Sequence, residues 1–551
     1  MSIPARLFLF CVVLILIGLL SAASEPSKHW EPDHRLTFDP GSSQLSFNFA
    51  WSVAVDESNR IHTVWYDDRD GVSQIYYKRS DDGGATWGPD TRLSSDPAPK
   101  EHPAIAVSGS SVYVVWHDTR NRNLDIYFKR SLDGGISWDQ ENRLSIGNPR
   151  GSAHASIAAA HSNVYVVWGD HRDGDQAEIY FRSSYDGGTT WGEETRISEL
   201  PFDSWVPTVA ASGWNVYVAW VDTRDGNEEE YFRRSTDGGL SWAPVARLTD
   251  HPANSWAPSL AASGDTVHLV WFDQQDSPVQ PQEAENKLNE AMDLLGLKYE
   301  PAPSGVMVIH PEEAAKRRAT EKLQLIQMEA PAWVARGGDA AGLQMLLKEF
   351  AELAAQGASY MAKERKLDEA VALMSLSYTP GPQDDLPKIY YGQAMGMRIQ
   401  DKQQQIQSAA PAWVGRGGDP DTLEGIIREF HRMFQLATME WEIYYRRSTD
   451  GGLTWGPTRR LTKAPGISAR PSIAAQRDWL AIVWFDSRDG NNEVYYKESR
   501  DGGVTWTVDE RLTYAPEDSV HASVALSIDR AHVVWFDKRD GNAEIYYKRS
   551  R

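Results

Sequence analysis

Side chains capable of chemistry gather at one recurring place in this sequence. Fourteen residues ahead of seven regularly placed tryptophans stand, in chain order, Trp51, His102, His154, Val206, Ala257, Arg470 and His521. One residue earlier come Glu101, Trp205 and Trp256. Imidazoles and a guanidinium beside indole faces suit a sugar or an acidic ligand, because the rings stack and the polar groups fix orientation. Three histidines are also the raw material of a metal site. They are spread over several repeats, however, and neither a metal nor a cofactor is expected. In a purely structural role the same histidines would hydrogen-bond aspartates of neighbouring repeats.

The elements that position these residues follow from the period. The anchor tryptophans are Trp65, Trp116, Trp168, Trp220, Trp271, Trp484 and Trp535, spaced by 51 or 52 residues except for one gap of 213. Each ends an apolar strand in Trp-x-Asp, as in "VYVVWGDHRDG" at 164–174. Around it lie an inner strand, a turn, a strand such as "EIYYKRS", a glycine-rich hairpin and a short strand ending "RLT". Four short antiparallel strands repeated at this period make a propeller blade. The last unit stops at "EIYYKRSR" (544–551), while "HWEPDHRLT" (29–37) matches "TWGPDTRLS" (86–94). The expected fold is therefore all-β: a seven-bladed β-propeller of four-stranded antiparallel blades, closed by the N-terminal strand. Closure removes exposed sheet edges. It also makes blades 6, 7, 1, 2 and 3 consecutive, so Arg470, His521, Trp51, His102 and His154 form an arc at the channel mouth, continued by Trp205 and Trp256.

The glycine-rich hairpin reads "SDDGGATW" at 80–87 and "STDGGLSW" at 235–242, with further copies at 131–138, 184–191, 448–455 and 499–506. Its aspartates are Asp82, Asp133, Asp186, Asp237, Asp450 and Asp501. Six copies cannot mark one catalytic centre, so the phrase is structural: Asp and Ser/Thr tie the turn and glycine takes positive φ. The phrase resembles the Asp-box, or bacterial neuraminidase repeat, of sialidases and other secreted propellers such as the sortilin type, over 24–276 and 441–551. That resemblance implies a sialidase-like propeller associated with glycans, but not activity. Sialidases of the family carry three arginines, a Tyr–Glu nucleophile pair, an Asp acid/base and an Arg-Ile-Pro signature on six blades. This chain has no Arg-Ile-Pro, the nearest stretch being "ARPSIAA" at 469–475, and it repeats seven times. The arginines after Trp-x-Asp recur blade after blade, which marks them as turn salt bridges rather than a substrate clamp.

Between Trp271 and Trp484 the composition shifts to Ala, Glu, Gln, Leu and Lys. Residues 277–440 enter blade 5 between its second and third strands as a duplicated α-helical insert. "APAWVARGGDAAGLQMLLKEF" (330–350) returns as "APAWVGRGGDPDTLEGIIREF" (410–430), and "NKLNEAMDLLGLKY" (286–299) as "RKLDEAVALMSLSY" (365–378). Asp339 and Asp419 are the expected N-caps, with Pro420 in a first turn. The insert belongs on the face of the ring that carries the arc, where it would act as a lid, a specificity device or a docking surface for a protein partner.

Arg6, the apolar run Leu7–Leu20 and Ser21-Ala22-Ala23 read as a signal peptide over 1–23. This predicts a secreted or extracytoplasmic protein with no stable membrane span after cleavage. The only cysteine, Cys11, lies in that run, so the mature chain has no disulfide or thiolate site. A formal charge of −21 without a polybasic block excludes nucleic acid as a general partner. The function expected is a binding module for a glycan or glycoconjugate. Its rivals are an exo-acting glycoside hydrolase of sialidase type, whose catalytic carboxylates the sequence does not place, and an interaction scaffold working through the insert.

Overall fold

The computed structural model describes residues 29–46, 51–146, 150–174, 176–199, 202–225, 227–251, 253–276, 281–297, 307–309, 311–355, 360–374, 376 and 388–551. The expected leader at 1–23 lies outside the described residues. Seven antiparallel sheets account for the repeats. In blade 2 the strands are Lys100–Ser108, Ser111–Asp118, Asp125–Ser131 and Asn142–Arg143, paired in that order. Alternation is lost in the middle strands because both faces are covered: every residue of Asn163–Asp170 in blade 3 is buried. The inner strands touch in cyclic order, and the last, Ser519–Leu526, meets the first, Val53–Val55. All seven anchor tryptophans are at most 1% exposed, each stacked on a tyrosine of the third strand, as Trp65 is on Tyr76 with ring centres 6.0 Å apart.

In blade 7 the outermost strand is His34–Arg35 from the N-terminal end, with His34 opposite Tyr547 and Arg35 opposite Tyr546. Trp30 packs edge-on against Tyr496 at 4.9 Å. It thus stands where the hairpin tryptophan stands in the other blades. Blade 1 departs from the repeat. Ser43 and Asp67, whose side chains bond, are 24 positions apart, whereas Ser152 and Asp170 of blade 3 are 18 apart, a difference of six. The extra chain precedes Trp51.

The Asp-Gly-Gly hairpins join blades as well as strands. In blade 4 Ser235 Oγ donates to Asp237 (2.7 Å) and accepts from the Gly239 N–H (2.8 Å), and Ser241 Oγ donates to Asp237 (2.5 Å). The Ser241 hydroxyl and N–H hold Asp237 down at about 2. Gly239 has φ 93°, and a Cβ there would lie 2.3 Å from Phe181 of blade 3. Trp242 meets the same Phe181 ring edge-on at 4.9 Å. The hairpin tryptophan therefore packs on the preceding blade.

Within the insert, α1 (Pro281–Leu294), α2 (Pro311–Ala335), α3 (Ala340–Ala355), α4 (Tyr360–Leu373), α5 (Tyr391–Gly415) and α6 (Pro420–Met439) make two three-helix cores. One joins α2, α3 and α4 around Ile326, Leu343 and Leu367; the other joins α1, α5 and α6 around Leu288, Ile406 and Phe430. By sequence α1 belongs with α2 and α3, so the first helices of the two repeats have exchanged partners. Geometry supplies the reason. Packing α1 on α6 returns the chain to its starting point, where Asp273 pairs with Glu442 across the second and third strands of blade 5. Asp419 caps α6, accepting from the Asp421 N–H at 3.2 Å, with Pro420 in the first turn.

Candidate functional site

The Trp-x-Asp-x-Arg segment builds the scaffold beneath the site. In blade 1 the Trp65 indole and the Ser43 hydroxyl donate to Asp67 (3.2 and 2.6 Å). Arg69 closes on the same carboxylate at 2.6 Å, reaches Asp90 at 2.7 Å and lies 4.3 Å over the Tyr76 ring. Arg120, Arg172, Arg224, Arg488 and Arg539 repeat the pairing with their own aspartates. These arginines are committed to the fold.

Just beyond this turn, every inner strand from blade 2 to blade 7 carries a register shift, between Glu101 and Ala104 in blade 2 and between Val520 and Ser523 in blade 7. The residue in the bulge has positive φ: His102 (54°), His154 (58°), Val206 (49°), Ala257 (58°), Arg470 (56°) and His521 (55°). Such a conformation costs a non-glycine residue on the order of 1–3 kcal/mol, and a bulge re-aims its side chain. These are the positions fourteen before each anchor tryptophan. The strain is spent on presenting one side chain per blade.

The presented side chains meet. The His102 ring lies 5.5 Å from Tyr66, 4.8 Å from His117 and 6.2 Å from His154. Arg470 Nη1 is 3.2 Å from His521 Nδ1 and 3.3 Å from Nε2, and His521 stacks on Phe536 at 5.1 Å. Arg470 of blade 6 opposes charge on His102 of blade 2, and His102 does the same to His521 of blade 7. Trp205 and Trp256 stand edge to face at 5.3 Å. Trp51, from blade 1, packs on the core between blades 5 and 6 beside Ala257 and Ala469, with Trp256 against the same core. Blades 5 and 6 are not neighbours of blade 1, so Trp51 reaches beyond the adjacent blade. Val206 and Ala257 are buried and apolar, and contribute shape.

Burial disfavours charge on His102, His154 and His521. It pushes His102 down to about 2, where neighbouring His117, His154 and Arg470 also oppose a positive charge, and it lowers His154 to about 4. His521 is driven well below the usual histidine range by burial and by Arg470. Glu101 is held ionised below its ordinary value by the His117 ring, 3.7 Å away.

A second row was missed in the sequence. The middle residue of Trp-x-Asp is Tyr66, His117, Gly169, Val221, Phe272, Phe485 or Phe536. Tyr66, His117 and Phe536 touch the arc directly, and Phe272 touches Trp256 at 6.0 Å. Variation at that one slot, inside an otherwise fixed motif, was the available signal. Also missed was a buried acidic group between blades 4 and 5. Glu230 replaces the Ile or Val of every other blade, is wholly buried, and neither carboxylate oxygen has a hydrogen-bond partner among the described residues. Burial and nearby Asp273 raise it far above the carboxylate range. Asp273 itself rises to about 6 through burial. In its blade Gln275 replaces the arginine and gives only a backbone N–H, at 2.7 Å.

No protein-family model matches the chain. Over 267 residues it is 25% identical to the xyloglucanase Xgh74A of Acetivibrio thermocellus, a match covering 42% of this chain. The chain spans 29% of the length of that curated relative. Among solved structures, Trypanosoma rangeli sialidase in complex with an inhibitor aligns with a TM-score of 0.42 at 9% identity, covering 95% of this chain and 60% of the sialidase. A polysaccharide lyase, an ulvan lyase bound to a glucuronate–sulfated rhamnose unit, aligns with a TM-score of 0.47 at 9% identity, covering 94% and 95%.

Proposed function

We propose that the protein is an exported propeller that binds an acidic glycan or glycoconjugate at the mouth of its central channel. The observation that carries this reading is the contact of Arg470 with His521, from blades 6 and 7, with His102 of blade 2 within the electrostatic reach of Arg470 and with Trp205 and Trp256 edge to face nearby in sequence register. A guanidinium partly withdrawn from water pairs strongly with a carboxylate or sulfate. Neutral imidazoles add donors and acceptors without further charge, and indole faces stack on the apolar face of a sugar ring. The Asp-box resemblance and the names of the similar proteins support a glycan as the ligand class. The apolar run Leu7–Leu20 supports export, and no helix among the described residues is long and apolar enough to cross a membrane. The helical insert leaves and re-enters blade 5 at the arc's end of the ring, which suits a specificity or docking element.

An exo-acting hydrolase is the second reading, and Glu228 is the observation that favours it. Burial raises its carboxyl, with the Trp256 indole beside it opposing the shift, and a carboxyl that holds its proton more tightly than usual beside a sugar site suits a general acid. The two readings separate on a panel of neutral, uronate-bearing, sulfated and sialylated oligosaccharides, scored for binding and for product. Retention of acidic members without product supports the binding module. Product release makes the protein an enzyme, and equal retention of neutral members removes the acidic ligand class.

A further inference from the structure

Glu101, His102 and His117 bring three ligand-type atoms within 4.8 Å of one another at the channel mouth, and we propose that they hold a divalent transition-metal ion of the zinc class. The backbone makes this trio. Glu101 and His117 are cross-strand partners, so their side chains rise on one face of the sheet. In a regular strand His102 would point to the opposite face. The bulge and its φ of 54° turn it back, and its ring comes to 4.8 Å from that of His117.

The other blades have the same bulge without the same chemistry. Blade 3 has Ala153, His154 and Gly169 at these three places, and blade 6 has Ala469, Arg470 and Phe485. Blade 2 alone carries a ligating side chain at all three. A repeat that breaks at three facing positions together does so for a shared purpose.

His117 supplies an independent pointer. Its side chain is 7% exposed, yet Nδ1 has no hydrogen-bond partner among the described residues, while Nε2 stands 3.7 Å from the Glu101 carboxylate. An imidazole this buried, with no such partner at Nδ1 and only a 3.7 Å carboxylate contact at Nε2, is poorly satisfied, and a metal bond to one of its nitrogens would be a gain. Two imidazoles and one carboxylate are a ligand set for zinc and its late first-row neighbours, whereas calcium and magnesium prefer oxygen throughout. Metal–ligand bonds of about 2 Å put tetrahedral ligand atoms about 3.3 Å apart. Glu101, 43% exposed, has freedom to rotate toward that separation. That exposure also gives the ion a route in and leaves a coordination position facing the channel.

The test uses the untagged full chain, stripped with a chelator and titrated calorimetrically with zinc sulfate, with no glycan present. One zinc ion per chain is expected. Glu101→Ala and His117→Phe, which install residues that other blades carry at these places, should each weaken binding by more than about 10-fold while leaving the far-ultraviolet circular dichroism unchanged. Cobalt(II) loaded into the unmutated protein should show visible d–d absorption, a readout independent of whether a variant folds. No saturable one-to-one binding, no cobalt absorption, or undiminished binding in both variants overturns the proposal.

Discussion

Glu230 shows at the scale of one residue how the repeat exposes its exceptions. Six blades place Ile or Val where blade 4 places a carboxyl wholly buried beside Asp273. Burial raises the neighbouring Glu229 to about 7 and Asp273 to about 6, against about 4 for carboxyls in an unfolded chain. Between about pH 4 and pH 7 the folded protein therefore keeps protons that the unfolded chain has released. Stability from this cluster is greatest near pH 4 and falls as pH rises through the folded values. Glu230→Ile should stabilise the protein at pH 8 by about 1–3 kcal/mol, with a smaller gain at pH 4.5, as read from urea unfolding at both values. An equal gain at both would mean the carboxyl is not proton-linked. The substitution itself was legible in the sequence as a Glu in an Ile column. Its burial was not, because strand residues next to a hairpin turn are as often exposed.

At the scale of the element, the Asp-Gly-Gly hairpin and the arc-bearing bulge were unequally legible. Asp and paired glycines announce a turn with positive φ, and six copies fix its place. The bulge is built from His, Val, Ala and Arg, none of which advertises a left-handed backbone, so the positions were legible but the bulge that re-aims them was not. The middle residue of Trp-x-Asp was passed over because it sits inside a motif read as structural. The exchange of α1 and α4 was likewise hidden, since a duplicated sequence does not say which copy packs on which. The hairpin's role in joining blades is open to direct test. Gly239→Ala forces a Cβ at φ 93° to within 2.3 Å of Phe181. It should cost roughly 2–4 kcal/mol by denaturant unfolding. A loss below about 0.5 kcal/mol, within the range of ordinary surface changes, would show the contact between blades 3 and 4 to be slack.

The whole molecule uses one solution twice: the first element of a repeated series packs on the last. In the ring Trp30 and His34–Arg35 complete blade 7, and in the insert α1 completes the bundle of α5 and α6. Trp30 is 4% exposed, and Trp30→Ala should cost about 3–5 kcal/mol, lowering the melting temperature of the entire propeller in one transition. A separate early transition would mean that blade 7 frays alone. Blade number and the repeating strands were legible because the period is nearly constant. The extra residues between Ser43 and Trp51 were not, because they lengthen blade 1 without disturbing the spacing of the anchors. The central claim is that side chains from non-adjacent blades form one acidic-ligand site. Calorimetric titration of the protein with a uronate-bearing oligosaccharide, repeated with Arg470→Ala and Trp256→Ala, tests it most directly. Each replacement installs the residue that another blade carries at that position, Ala257 or Ala469. Saturable binding is expected, weakened by at least about 10-fold (about 1.4 kcal/mol) in each variant. Affinity unchanged in both variants would contradict the claim.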